Sequence, residues 1–171
     1  MGADGPFRSW LFAPGNHSRR VEKALSLDAD VVILDLEDAV AIGEKLTTRG
    51  GVVSALQGPR SGLGYIRINA YDTDFCYGDL CTVIANGVDG IILPKVETAD
   101  QIKSVDWLVS QLEKNADLTI GSIDIMPIIE TGLGVANVRK IAEAGTRVRR
   151  LSFGAGDYSK DMRINWTLNE S

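Results

Sequence analysis

The chain predicts an α/β fold built on a parallel sheet, and three observations predict it. Short, near-continuous apolar runs alternate with amphipathic stretches along all 171 residues. The runs are apolar throughout rather than alternating with polar residues, as strands covered on both faces are. Charged residues gather just after the runs, at positions that would be the carboxyl ends of strands.

Residues 8–15, RSWLFAPG, read as the first strand, stopped by a Pro-Gly turn. Residues 16–27 read as a helix with Asn16 or Ser18 as its cap. The second strand is 29–38, ADVVILDLED, and a helix around 44–56 leads to the third strand, 63–70, LGYIRINA. Residues 77–87 read as a helix, 88–97 as the fourth strand, and 98–116 as a long helix with a Thr or Asp cap. The fifth strand is 118–131, followed by a helix over 133–145 closed by Gly145; the sixth strand is 148–157, VRRLSFGAGD. There is no internal repeat, low-complexity tract or linker, so the expectation is one domain over 1–171.

Composition narrows the function. With 44% hydrophobic and 24% charged residues and a formal net charge of −5, the chain is an ordinary globular sequence lacking the positive charge that nucleic acids or anionic membranes require. No apolar run approaches the roughly 20 residues of a membrane span. The N-terminal MGADGPF has neither a signal peptide's apolar stretch nor a myristoylation pattern, so a cytoplasmic location is the expectation, and the glycosylation-like triplets at Asn16, Asn165 and Asn169 carry no meaning there. Cys76 and Cys81 lack a second pair and a neighbouring histidine, and read as reduced thiols. His17, the single histidine, reads as an exposed helix-start residue; Trp10, Trp107 and Trp166 read as packing residues.

The second strand ends in Asp35, Glu37 and Asp38. Unpaired buried carboxylates are expensive, so these must meet cations or water. Arg67 and Asn69 end strand three, Lys95 and Glu97 strand four, Glu130 strand five, and Asp157 follows strand six. In a parallel α/β sheet such positions converge on one face, where a (β/α)8 barrel builds its active site. Carboxylates without histidine or cysteine favour a hard cation, Mg2+ first and Mn2+ second, and Glu130 with Asp157 suffices for an ion that keeps several waters. The planar fork of Arg67 suits a substrate carboxylate or a developing enolate oxygen. Taken singly, each residue also has a plainer reading. GAGD is a turn, Glu130 a helix-capping acid, and Arg67 and Lys95 are salt-bridge partners of the strand-two acids; Asp35 is the acid that reads most as structural, holding a loop or an arginine.

Six ordered stretches, RSWLFAPGN, DADVVILDLEDAV, YIRINAYDT, GIILPKVE, IIETGLGV and LSFGAGDYSKDM, resemble the citrate lyase β-subunit-like branch of the HpcH/HpaI aldolase superfamily over practically the whole chain. The resemblance implies a TIM (β/α)8-barrel lyase that uses Mg2+ to make or break a carbon-carbon bond between an acyl-CoA and a 2-oxo acid. It implies that Glu130 and Asp157 bind the metal, that Arg67, Gly156 and Asp157 meet the substrate, and that Glu37 and Asp38 support the metal's waters. Asp38 stands where the pyruvate-aldolase branch has a histidine, which favours the thioester branch over an aldolase acting on pyruvate-derived free acids. Arg8, Arg19 and Arg20 read either as contacts to CoA phosphates or as a solvated basic helix start.

A complete barrel of this kind takes about 250 residues, so about six of eight βα units, a C-terminal truncation and two exposed sheet edges are expected. Such edges invite association, and a homo-oligomer is expected. A non-catalytic subunit keeping the fold and metal site is the alternative to an active lyase.

Overall fold

Six parallel strands lie side by side in sequence order in one sheet, β1 to β6, each joined to the next through a helix. The computed structural model describes residues 6–145 and 147–165. The elements are β1 (Trp10–Pro14), α1 (Ser18–Leu25), β2 (Val31–Asp35), a 3-10 turn (Ile42–Glu44), α2 (Lys45–Leu56), β3 (Leu63–Arg67) and α3 (Cys76–Val83). They continue with β4 (Gly90–Leu93), α4 (Ala99–Asn115), β5 (Asp124–Ile129), α5 (Gly132–Ala142), β6 (Ser152–Phe153) and α6 (Ala155–Asp161).

The two-residue period of a strand sorts its side chains onto two faces. One face of the sheet, with Val32, Leu34, Ile66, Ile91, Leu93, Ile125 and Ile129, packs against the helices through Val21, Val52, Leu56, Leu80, Ile102, Val105 and Ile141. The other face gathers Val31, Ile33, Leu63, Tyr65, Ile92, Met126 and Ile128, with Phe7 and Trp10 packed against them. Both faces are buried, which is why the strands read as unbroken apolar runs. The sheet curls around this second face. Arg150, just before β6, reaches Asp124 Oδ2 at 2.8 Å and the Tyr65 hydroxyl at 3.3 Å. Its guanidinium also lies over the Phe7 and Trp10 rings, at 4.8 and 5.6 Å.

Several expected boundaries are corrected. Residues 118–123 are not strand: the Glu113 carboxylate accepts hydrogen bonds from the Gly121 and Ile123 N–H groups, pinning a turn in which Gly121 takes φ 89°. The sixth strand is only two residues long, because after Gly154 N–H donates to the Ile129 carbonyl the chain turns directly into α6. Helix α1 starts from His17, with no side-chain cap; Asn16 instead donates its amide to Glu44 Oε2 at 2.7 Å. Thr98 does cap α4, in a reciprocal capping box with Gln101. Trp107 is not a packing residue but is 66% exposed, since the buried stripe of α4 runs through Ile102, Val105 and Val109. Trp10 packs edge-on against Phe7 and Tyr65. Trp166 and Asn169 lie outside the described residues. His17, Arg8, Arg19 and Arg20 are exposed, and Cys76 is buried while Cys81 is not. Among the described residues no helix is long and apolar enough to cross a membrane.

Candidate active site

The inner face of the sheet turns from apolar to charged where the strands end. Along β2 the inward series Val31, Ile33 continues to Asp35; along β3 Leu63, Tyr65 continues to Arg67, and the two charged residues are register partners. Asp35 holds the guanidinium with two bonds, Nε to Oδ1 at 2.8 Å and Nη2 to Oδ2 at 2.7 Å. The same carboxylate accepts the N–H groups of Glu37 and Ala39, at 2.8 and 3.1 Å. It therefore holds both an arginine and the loop after β2. Burial works against the Asp35 charge, but Arg67 and the two N–H groups outweigh it and hold the carboxyl below the usual carboxylate range.

With two of its nitrogens committed, Arg67 turns Nη1 toward the other strand-two acids. That nitrogen lies 3.1 Å from Glu37 Oε2 and 3.5 Å from Asp38 Oδ2. Its guanidinium also sits over the half-exposed Phe12 ring. The Lys95 ammonium completes the cluster: it bonds Glu37 Oε1 and lies 4.0 Å from Asp38 and 3.8 Å from Asp157. Burial pushes the Glu37 carboxyl up despite both cations, and its Oε2 is buried without a hydrogen bond.

Glu130, one residue beyond β5, is 3% exposed and accepts the Lys95 N–H at 2.8 Å through Oε1. Burial raises its carboxyl to about 7; Lys95 opposes that rise, and the charges of Glu37 and Asp157 add to it. Opposite it lies Gly154, where an added Cβ would sit 2.7 Å from the Glu130 Cβ and against Oε2. Glycine is needed there for space. Asp157, in the first turn of α6, is about one-third exposed, and Gly156 beside it is exposed with open space around it.

The structure thus brings Glu37, Asp38, Arg67, Lys95, Glu130 and Asp157 to the carboxyl ends of the strands. The Glu97 side chain makes no such contact; its N–H and carbonyl bond Gln101 and Asn137. Asn69 supports the site from behind rather than joining it. It donates to Asp79 at 2.7 Å and to the Leu36 carbonyl, and accepts the Lys45 ammonium at 2.6 Å. Lys45, 8% exposed, also bonds the carbonyls of Leu36 and Glu37 and so clamps the acidic loop; Arg49 completes the chain by bonding Asp79 at 2.7 Å. Nothing in the pattern around Lys45, Arg49 or Asp79 announced this network. The alternation of Arg67 and Asn69 was its one visible sign.

Among the described residues no three His, Cys, Asp or Glu side chains form a metal-binding group. A hard cation that takes one or two carboxylates and fills its sphere with water needs no third. The donor set fits such an ion: the buried Glu130, whose raised carboxyl a bound cation would bring back down, the one-third-exposed Asp157, and a buried Glu37 oxygen that accepts no hydrogen bond.

A curled parallel sheet with this acidic rim defines the class, and sequence comparison defines the family. The HpcH/HpaI aldolase/citrate lyase family model matches residues 8–171, and the chain belongs to that family. It is 38% identical over 160 residues to citrate lyase subunit beta of Leuconostoc mesenteroides subsp. cremoris, covering 92% of this chain and 53% of that one. It is 35% identical over 167 residues to L-malyl-CoA/beta-methylmalyl-CoA lyase of Cereibacter sphaeroides, covering 95% and 52%. The chain spans about half the length of these curated relatives. Its fold matches the citrate lyase beta subunit from M. tuberculosis, solved with oxaloacetate and magnesium, with TM-score 0.71 and 29% identity over 94% of this chain and 64% of that one.

Proposed function

We propose that this chain forms the metal and 2-oxo acid site of a Mg2+-dependent carbon-carbon lyase joining or cleaving an acyl-CoA and a 2-oxo acid. The observation that carries the reading is the convergence of Glu130, Asp157 and Glu37 on the two cations Arg67 and Lys95 at the carboxyl ends of the strands. The names of the relatives, a citrate lyase subunit and a malyl-CoA lyase, support it. The curled sheet supports reading residues 1–171 as one domain carrying six of the eight units of a (β/α)8 barrel.

Glu130 and Asp157 would hold the ion, with Glu37 and Asp38 holding its waters. A divalent cation bound there supplies Lewis acidity and a template for the carboxylate and keto oxygens of a 2-oxo acid. Arg67 is anchored by Asp35 on one edge, so its Nη1 edge is the one that meets substrate oxygens. Gly156 borders that space without a side chain to block it. In cleavage, a base takes the substrate hydroxyl proton as the carbon-oxygen bond becomes the keto group of the 2-oxo acid. The pair from the broken carbon-carbon bond leaves as a thioester enolate, which the positive charge of Arg67 stabilises until its carbon is protonated. Asp38 in place of a histidine favours thioester substrates over free pyruvate-derived acids.

The test is calorimetry of the folded chain with Mg2+ and then with glyoxylate, pyruvate or oxaloacetate, followed by an assay of malyl-CoA or citryl-CoA cleavage. Metal-dependent binding of a 2-oxo acid is the expected result, and acyl-CoA release identifies a lyase. A folded chain that binds no 2-oxo acid with or without Mg2+ overturns the reading.

A further inference from the structure

Lys95 is unusual on two independent counts. Its backbone is left-handed, with φ 52°, a conformation uncommon for a residue with a side chain. That bend aims its N–H at Glu130 Oε1, 2.8 Å away. A glycine would take the same bend with less strain, but it would bring no cation to the acids around it. The ammonium is bonded to Glu37 and lies 3.8 Å from Asp157 Oδ2 and 4.0 Å from Asp38 Oδ1. The lysine side chain is one-third exposed while Glu37 is buried, so the ammonium reaches both a buried carboxylate and, toward solvent, Asp157 and Asp38.

We propose that Lys95 is the positioning cation of the site: its backbone fixes Glu130, while its ammonium holds Glu37 and Asp157 in register and gives up Asp157 when a divalent ion binds. The inference rests on the metal reading above and adds an exchange between a resident and an incoming cation. A single positive charge about 4 Å from a carboxylate, in the partly shielded surroundings of a protein surface, competes measurably with another cation for it.

The test is Mg2+ affinity by calorimetry in the parent, Lys95→Met, Lys95→Gly and Lys160→Met. Lys95→Gly keeps the left-handed bend without strain, so it stands in if Lys95→Met fails to fold. Lys160, exposed on α6, controls for the loss of one positive charge at the surface. The expected result is binding about fivefold tighter in either Lys95 variant and within twofold of the parent in Lys160→Met. Faster acylation of Lys95 by a lysine reagent when Mg2+ is added, read by mass spectrometry, is the second expected result. Equal or weaker affinity in the Lys95 variants, equal tightening in Lys160→Met, or unchanged acylation overturns the exchange while leaving the metal reading intact. No Mg2+ uptake by any of the folded proteins overturns both.

Discussion

Asp35 and Arg67 face each other as register partners on β2 and β3 and are joined by two hydrogen bonds of 2.8 and 2.7 Å. One carboxylate thereby fixes the arginine and, through the Glu37 and Ala39 N–H groups, the acidic loop. Asp35→Asn removes the buried charge that holds the fork of Arg67, leaving the guanidinium with only Glu37 and Asp38 on its Nη1 edge, a loss of about 3 kcal/mol. The folded-state carboxyl is depressed, so its contribution is present above the ordinary carboxylate value of 3.8 and is lost as pH falls through the lower folded value. Urea unfolding at pH 7 and pH 3 checks this: the gap between parent and variant should be wide at pH 7 and should narrow at pH 3.

Arg67→Lys keeps a positive charge but loses the fork that bonds Asp35 and presents Nη1 outward. Mg2+ affinity should change by less than about threefold, since Arg67 holds none of the proposed ligands. Affinity of the metal-loaded protein for a 2-oxo acid should fall at least tenfold, about 1.4 kcal/mol. Calorimetry with oxaloacetate or glyoxylate measures both, and parent-like binding of the acid would remove Arg67 from the site.

Much of this site was legible because a parallel sheet turns sequence order into spatial order: charged residues placed after successive apolar runs must meet at one end. Asp35, Glu37, Arg67, Lys95 and Glu130 all follow that rule. The supporting network was not legible. Lys45 bonds Asn69, Arg49 bonds Asp79, and Arg147 is buried against Glu113 and Asp106 on α4. These partners lie one or two elements apart along the chain, and each residue alone reads as a surface charge on a helix or loop. The sequence predicts a sixth strand longer than the two residues of β6, because Gly154 to Asp157 carry no periodic signal. Only the Ile129 carbonyl and the packing of Glu130 against Gly154 show where that strand ends.

Glu130 makes the metal-free protein sensitive to pH in the direction opposite to Asp35. Its carboxyl is raised from 4.5 to about 7, so the folded state holds its proton more tightly than the unfolded chain does. That contribution is full below pH 4.5 and is lost as pH rises to about 7. After allowance for solvent screening the loss is about 1 to 2 kcal/mol. Urea unfolding in a chelating buffer at pH 5 and pH 8 should show the parent losing this amount relative to Glu130→Gln. Mg2+ at pH 8 should restore the parent and leave the variant unchanged.

Gly154→Ala probes the same carboxylate without altering its charge. The new methyl group would stand 2.7 Å from the Glu130 Cβ and against Oε2, closer than unbonded atoms approach. Glu130 is 3% exposed and its Oε1 is tied to the Lys95 N–H, so it has little room to retreat. The strain should cost about 1 to 3 kcal/mol, as overpacking of a filled site does. Because the displaced group is a proposed metal ligand, Mg2+ affinity should fall at least tenfold, whereas Gly156→Ala, with open space at its Cβ, should leave metal affinity unchanged. Calorimetry and thermal unfolding of the two variants side by side separate a local clash from a general loss of stability: equal Mg2+ affinity in both would show that Glu130 is not held where the ion binds.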